Sequence, residues 1–597
     1  MNIIQIKLDK LRTLMQEHQV DMYLAPSIDA HCNEYVPECF NRRPWISGFS
    51  GSAGEALITH DHAYLSTDGR YFLQAEAELD PAAYTLLKQT GFAPHTEVWL
   101  SENGAGKTLG IDPRVVGIGR ARSLEQLMQN AGGKLKFIDN NLIDECRHQC
   151  GESLELPQNP VFRLEEQYTG QSLADKLCWV RTEIRAHNVD YLVLNLLDEI
   201  AWLFNLRGED VLFNPLFISY ALISPDSATL FVDSNKLDAK LKHYLAEHGI
   251  IVTAYTQFGP HIAAIHGSIW LDEKTSSYYI YDKIDAKNEI LFTQSPIVHK
   301  KAAKNPIEIA GTKAAHIKDA VALTKFFYWL DNNWQTGVDE IICANKLAGY
   351  RAEQTNSRGA SFNTISSFGS NGAIIHYAVN PTTNKKIDDS NLYLLDSGGQ
   401  YLEGTTDVTR VVHLGQPTAA QKRHYTLVLK GHLALARAIF PQGTCGEHLD
   451  TLARQYLWAD YLDYRHGTGH GVGSFLCVHE GPQRISRAAS NTPLVPGMIV
   501  SDEPGVYLPN QYGIRIENLC VVVEAIDNAS KNSEYGPFYQ FENLTLFPYC
   551  RKLLDAALLN AVEIAQITDY YTKIKNTVLP LVDNELQTWL LNEMNLF

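Results

Sequence analysis

The sequence predicts a multidomain α/β chain in which two related α/β domains lead into a third domain that carries the chemistry. Three observations support this. The chain has 597 residues, well past the roughly 250–300 at which single hydrophobic cores stop growing. A strand-and-turn pattern near the start returns once, 157–169 positions later. Glycine-flanked histidines and isolated carboxylates concentrate between residues 365 and 520.

The first domain, 1–157, opens with a helical pattern over residues 3–19, then a strand at Asp21–Ala25 that Pro26 ends. A Trp-centred turn around Trp45 follows, and then the strands Ala63–Leu65 and Tyr84–Leu87. The second domain, 158–302, echoes these features in order. Asp190–Leu194 repeats the first strand, Ala201–Gly208 repeats the turn around Trp202, and Tyr220–Ser224 and Ala228–Asp233 complete the set. Leu156–Pro160 reads as the first linker and Lys300–Lys304 as the second. The third domain, 303–597, begins with Asn305 as N-cap, Pro306 at the first helical position and Glu308 three residues after the cap, which predicts a helix to about Trp334. The tail is expected to be helical around Leu553–Ile567 and Leu586–Asn595, packed on the catalytic domain.

Composition narrows the function. The chain is 45% hydrophobic and 20% charged, an ordinary globular balance, and its net charge of −17 argues against a nucleic-acid partner. No run approaches the ~18 apolar residues of a membrane span. The opening Met1–Leu11 lacks the apolar stretch of a secretory signal. Ten cysteines without metal-ligand spacing read as reduced thiols, so a cytoplasmic address is expected. Ser101–Thr108 looks like a phosphate-binding loop, but Ser101 stands where its first glycine belongs and no helix pattern follows. The glycines at 467, 469, 471 and 473 fail the dinucleotide pattern because Val472 occupies the third glycine position.

The chemistry centres on His466-Gly467-Thr468-Gly469-His470-Gly471-Val472-Gly473, running on to His479-Glu480-Gly481-Pro482. Alone it could be a polar loop. Carboxylates change that. Asp396 closes an apolar strand, Asp407 lies in a second extended run, and Ser397–Gly404 between them reads as a turn. Glu503 follows another apolar strand, and Arg515 and Glu517 stand two positions apart, which on a strand places them on one face. Two Asp, two Glu and one His suit Mn²⁺, Co²⁺ or Zn²⁺. Four clustered carboxylates need cations, and two divalent ions roughly 3.5–4 Å apart can share and acidify one water. The inference is a dinuclear hydrolase.

These blocks, together with Leu394–Gly398, Gly404–Arg410, Asp502–Gly505 and Gly513–Asn518, resemble the pita-bread metallopeptidases, and among them the large three-domain Xaa-Pro aminopeptidases. The resemblance implies two creatinase-like α/β domains followed by an α+β pita-bread catalytic domain with a carboxy-terminal extension. It implies that Asp396 and Asp407 hold one metal, His470 and Glu503 the other, with Asp407 and Glu517 bridging, and that Glu503 takes a proton from the shared water. Mn²⁺ is the first choice of metal. His376, His466 and His479 would line the cleft, contact the peptide and stabilise the oxyanion, with Arg515 supporting the site. The implied substrates are peptides with proline second, and the implied assembly is a homodimer without membrane or nucleic-acid partners. A prolidase, which cuts only Xaa-Pro dipeptides, shares the five ligands but usually lacks the second amino-terminal domain. A non-catalytic peptide-binding relative, or a metal-free amidinohydrolase of the same fold, would have lost ligands.

Overall fold

Two six-stranded sheets with one and the same strand order form the amino-terminal unit, Met1–Glu165 and Gln171–Val298. The computed structural model describes residues 3–89, 94–525 and 533–595. The two residues that open the amino-terminal stretch and the two that close the tail lie outside them. From one edge to the other the first sheet runs Tyr84–Lys88, Ala63–Thr67, Glu55–Thr59, Met22–Pro26, Thr108–Ile111 and Lys134–Phe137. The second runs Ile250–Thr253, Ala228–Phe231, Tyr220–Ile223, Tyr191–Leu194, Ser268–Leu271 and Glu289–Phe292. In each, three central strands pair antiparallel and the outer strands add in parallel. The duplication read from the sequence is therefore a duplication of topology.

Two local readings change. The Trp-centred turns are short helices, Arg42–Ser47 and Leu197–Leu203. The first stops at Gly48, whose φ of 76° makes a left-handed cap, and the second stops just before Asn205, at φ 53°. Six or seven residues are too few to display a helical period. The phosphate-loop look-alike joins helix His95–Asn103 to strand Thr108–Ile111, the reverse of the strand–loop–helix order that cradles phosphate.

The second unit, Glu166–Gly170 and His299–Phe597, is organised by the helix Pro306–Asn333. Its capping box forms as expected: Asn305 accepts from Ile307 N and Glu308 N, and Glu308 accepts from Asn305 N. Lys300 and Lys301 belong to the helix Pro296–Ala302 rather than to an open linker, and Lys301 and Lys304 are buried. Two antiparallel sheets carry the rest. One comprises Ile365–Phe368, Leu392–Ser397 and Val408–His413. The other orders Ile439–Pro441, Phe538–Asn543, Asn518–Glu524 and Ile499–Asp502. Ser397–Gly404 contains a small hairpin, Gly399–Tyr401 with Gly404–Thr405, instead of a simple turn.

The tail's first long helix begins at Ala561 and runs to Thr577, later than its apolar pattern suggested, because Asn560 and Glu563 form a capping box there. Helix Asn584–Glu593 follows. Both pack on the catalytic core, with Tyr570, Tyr571, Leu586 and Leu590 in one buried cluster with Leu394, Val411 and Ile514.

Helices Ala419–Ala436 and Gly446–Trp458 meet at Gly431, where an added Cβ would lie 2.1 Å from the Ala453 carbonyl oxygen. Gly431→Ala should therefore destabilise the protein by up to about 2 kcal/mol, an overpacking cost of about 1–3 kcal/mol less the ~1 kcal/mol gain in helix propensity. A urea midpoint unchanged or raised by the substitution would contradict this packing.

Candidate metal centre

Antiparallel pairing brings the first two carboxylates together. Asp396 is the penultimate residue of the strand Leu392–Ser397 and lies opposite Thr409, and Asp407 directly precedes the strand Val408–His413 that supplies Thr409. Glu517 enters from the break between strands Tyr512–Arg515 and Asn518–Glu524, and its Oε2 accepts from Thr409 Oγ1 at 2.8 Å. The expectation of one continuous strand through Arg515 and Glu517 is thus replaced by two strands meeting at a corner. Both side chains still reach the same centre. Glu503 follows strand Ile499–Asp502, held where its N–H donates to Thr468 O at 2.8 Å. His470 arrives on the two-residue strand Gly469–His470, paired with Arg484–Ile485.

Three donor sets come within 4.8 Å: Asp396, Asp407 and Glu517; His470, Glu503 and Glu517; and Asp407, His470 and His479. All five sequence-predicted ligands are brought together, and His479 joins them. Its ring stands 4.4 Å from that of His470, edge to face.

The electrostatics fit divalent cations. Asp396, Asp407 and Glu517 are buried, and Asp396 Oδ1 and Asp407 Oδ1 have no hydrogen-bond partner among the described residues. Burial, then the charge of Asp396, pushes the Asp407 carboxyl well above its ordinary range. Glu517 rises through burial and then Asp407 and Asp396, and Glu503 through burial and then Glu517. Asp407, Glu503 and Glu517 resist ionising first because burial desolvates the charge and then because neighbouring carboxylates share its sign. His470 Nδ1 donates to the Gly471 carbonyl at 2.9 Å, which turns Nε2 toward Asp407 Oδ2 at 3.5 Å and Glu503 Oε1 at 3.6 Å. The backbone bond at Nδ1 orients the ring so that Nε2 is presented to the carboxylates, as in a metal-ligating imidazole.

Arg515 balances the other side. Its Nη2 donates to Asp396 Oδ2 at 2.6 Å, its Nε to Thr409 Oγ1 at 3.2 Å and its Nη1 to the Tyr507 hydroxyl at 2.7 Å. His466 completes the chain. With Nδ1 donating to the Gly467 carbonyl at 2.7 Å, its Nε2 accepts from the Tyr507 hydroxyl at 2.8 Å. Arg410, fully buried, donates to the backbone carbonyls of Glu517, Pro548 and Phe547, and so ties the tail to the Glu517 corner.

His376 sits half-buried in the turn after Gly369–Ala373, not on an apolar strand. That turn packs against the strand carrying Arg515, where a Cβ on Gly513 would lie 1.7 Å from Gly372 O. Glu340 braces it, accepting from Asn371, Tyr377 and the amides of Phe368 and Lys385.

Sequence reasoning missed Tyr507 and Thr409. Tyr507 was within reach: strand Gly505–Leu508 pairs with Tyr512–Arg515 across Pro509–Gln511, a turn whose Asn510 has φ 62°. Gly505 faces Arg515 in that register, so Tyr507 is Arg515's diagonal neighbour on the same face.

Comparison with known proteins agrees along the whole chain. Residues 310–524 match the family model of metallopeptidase family M24 and residues 537–596 its C-terminal region. Residues 7–149 and 152–308 each match a creatinase/prolidase N-terminal domain model. The chain is similar to the probable Xaa-Pro aminopeptidase P of Sordaria macrospora, 44% identical over 99% of both sequences. It is also 44% identical to that of Tuber melanosporum, over 95% of each. The crystal structure of X-prolyl aminopeptidase from Caenorhabditis elegans, described as a cytosolic enzyme with a di-nuclear active site, superposes with a TM-score of 0.94 at 33% identity, covering 99% of each chain.

Adding Mn²⁺ at a hundredfold excess over its dissociation constant should stabilise the metal-stripped protein by about 2.7 kcal/mol for each site filled. That appears as an upward shift in melting temperature, and Asp407→Asn should abolish most of it. An equal shift in the variant would place the binding elsewhere.

Proposed function

Because this chain belongs to metallopeptidase family M24, and matches Xaa-Pro aminopeptidases along its full length, we infer that it removes the first residue from peptides with proline in second position. The observation that carries the reading is the centre itself: four carboxylates and His470 converge beside a charged Arg515, and two divalent cations neutralise them. We assign Asp396 and Asp407 to one cation and His470 and Glu503 to the other, with Asp407 and Glu517 bridging. In support, Asp407, Glu517 and His470 each belong to two of the three donor sets, and of these only the two carboxylates have a second oxygen with which to bridge. Oxygen-rich ligands with one imidazole favour Mn²⁺, with Zn²⁺ and Co²⁺ as alternatives.

Bound there, the two cations lower the pKa of a water and polarise the scissile carbonyl. The chain's own groups do the rest. Glu503, half-buried at the edge of the cluster with its carboxyl pushed well above its ordinary range by burial and then by Glu517, takes a proton from the attacking water and returns it to the departing proline nitrogen. Asp396 is held by Arg515, so its free oxygen points into the centre. His376, His466 and His479 supply imidazoles to the peptide and to the developing oxyanion. Both ring nitrogens of His466 are committed here, to Gly467 O and the Tyr507 hydroxyl, so its contact with substrate exchanges the Tyr507 bond for one to the peptide. An Xaa-Pro bond is a tertiary amide with no N–H, so a site that relies on metal and imidazole contacts to the carbonyl loses nothing by its absence.

The partition into domains 1–157, 158–302 and 303–597 is part of this proposal, and limited proteolysis tests it. A cytoplasmic address is supported by cysteines that form no disulfide among the described residues. No helix among the described residues is long and apolar enough to cross a membrane. A homodimer, carried over from the family resemblance, is tested by light scattering.

The decisive assay compares Arg-Pro-Pro with Gly-Pro on chelator-treated enzyme with and without Mn²⁺. Mn²⁺-restored release of arginine from the tripeptide is expected, lost in Asp407→Asn, and Glu503→Gln should lower kcat by roughly 10²–10⁴-fold. Cleavage of the dipeptide alone would make the protein a prolidase, and no turnover with any divalent metal would leave a peptide-binding relative.

A further inference from the structure

Two lysines ahead of the long helix share one buried carboxylate. Lys301 Nζ lies 2.7 Å from Glu480 Oε2 and Lys304 Nζ 2.6 Å from Glu480 Oε1, with all three side chains no more than 2% exposed. Apolar side chains of similar volume would stabilise such a site as well or better. One carboxylate between two ammoniums also leaves a positive charge in excess, and burial pushes the Lys304 amine down against the pull of Glu480. What the trio offers beyond packing is a fixed position for Glu480.

That position is built into the glycine-rich motif. Glu480 N donates to Gly471 O at 2.8 Å, and a Cβ on Gly471 would lie 2.0 Å from Glu480 O. A Cβ on Gly473 would lie 2.8 Å from Glu480 Oε2. These two glycines make room for the clamped glutamate. The residue before it is His479, edge-on to His470 at 4.4 Å. On the other side, Lys304 N donates to Gly497 O at 2.9 Å and Ala303 bridges to Met498, at the root of the strand that presents Glu503.

We propose that Glu480, gripped by Lys301 and Lys304, is a positioning residue for the hydrolysis, holding the Gly471–Gly481 loop so that His479 stands against His470 in the cleft. This rests on the peptidase reading above. The clamp also explains why residues outside the segment 310–524 that matches the metallopeptidase model belong to the working site. Glu480 and its lysines hold the imidazole and do not touch the substrate.

The test uses the full-length, Mn²⁺-loaded protein. Glu480→Asp keeps the charge but withdraws the carboxylate by one methylene. It should stay folded and lower kcat on Arg-Pro-Pro by about 10–100-fold, in the range of outer-shell substitutions, with KM within about threefold. Lys301→Met withdraws one of the two grips on Glu480 and should lower kcat in the same direction by a smaller factor, with KM again within about threefold. Should Glu480→Asp not fold, Glu480→Gln combined with Lys304→Met conserves the excess charge and carries the same expectation. A crystal structure of the Glu480 variant reads the geometry without reference to activity, and His479 should leave its place beside His470. A folded Glu480 variant with wild-type kcat, or with His479 still 4.4 Å from His470, overturns the proposal. Wild-type turnover in the same assay reports on the peptidase reading by itself.

Discussion

The repulsion among four carboxylates is the constraint on which the catalytic unit depends. Asp396, Asp407 and Glu517 are buried and Glu503 borders them, so burial and then the neighbouring charges hold Asp407, Glu503 and Glu517 toward the protonated form. A cluster of that kind survives in a fold only when cations or fixed donors neutralise it. The chain provides one permanent cation in Arg515, which grips Asp396 and leaves the remaining charge for divalent ions.

Holding like charges together requires a rigid frame, and every ligand is carried on or beside a paired strand. The Asp396–Thr409 register sets the first pair, and Thr409 then donates to Glu517 and accepts from Arg515, so one hydroxyl ties two strands to the guanidinium. Glu517 is fixed again from behind by Arg410, whose other bonds run to the backbone of Phe547 and Pro548. The tail is thus part of the frame. The close glycine contacts have the same purpose: Gly513 lies against Gly372 and Gly469 against Ser501, and a Cβ at either would separate strands that must touch.

Much of this was legible in the sequence because the signals were local. Asn305, Pro306 and Glu308 announce a helix start through groups within four residues of one another, and that helix forms as read. The repeated strands are visible because apolar runs bounded by turn residues need no tertiary information. The misreadings share the opposite cause. Lys300–Lys304 read as a linker because no local signal shows that Lys301 and Lys304 are buried, and the distant Glu480 makes that burial tolerable. The helix Ala561–Thr577 begins later than its apolar pattern because a cap outweighed the period. Tyr507 went unnoticed because its importance comes from two partners, His466 and Arg515, supplied by other strands.

By itself the sequence named the candidate donors, and with them the proposed class of ion and the reaction, because ligand chemistry resides in residue type and five such residues among strand signals have few other uses. Tertiary structure alone decided which oxygens face which, that His479 joins the centre, and that a lysine pair from outside the metallopeptidase segment fixes it. Those are matters of distance between residues far apart in the chain. Strand register, a corner between Arg515 and Glu517, and the space left by Gly471 and Gly473 set these distances, and no local pattern encodes them.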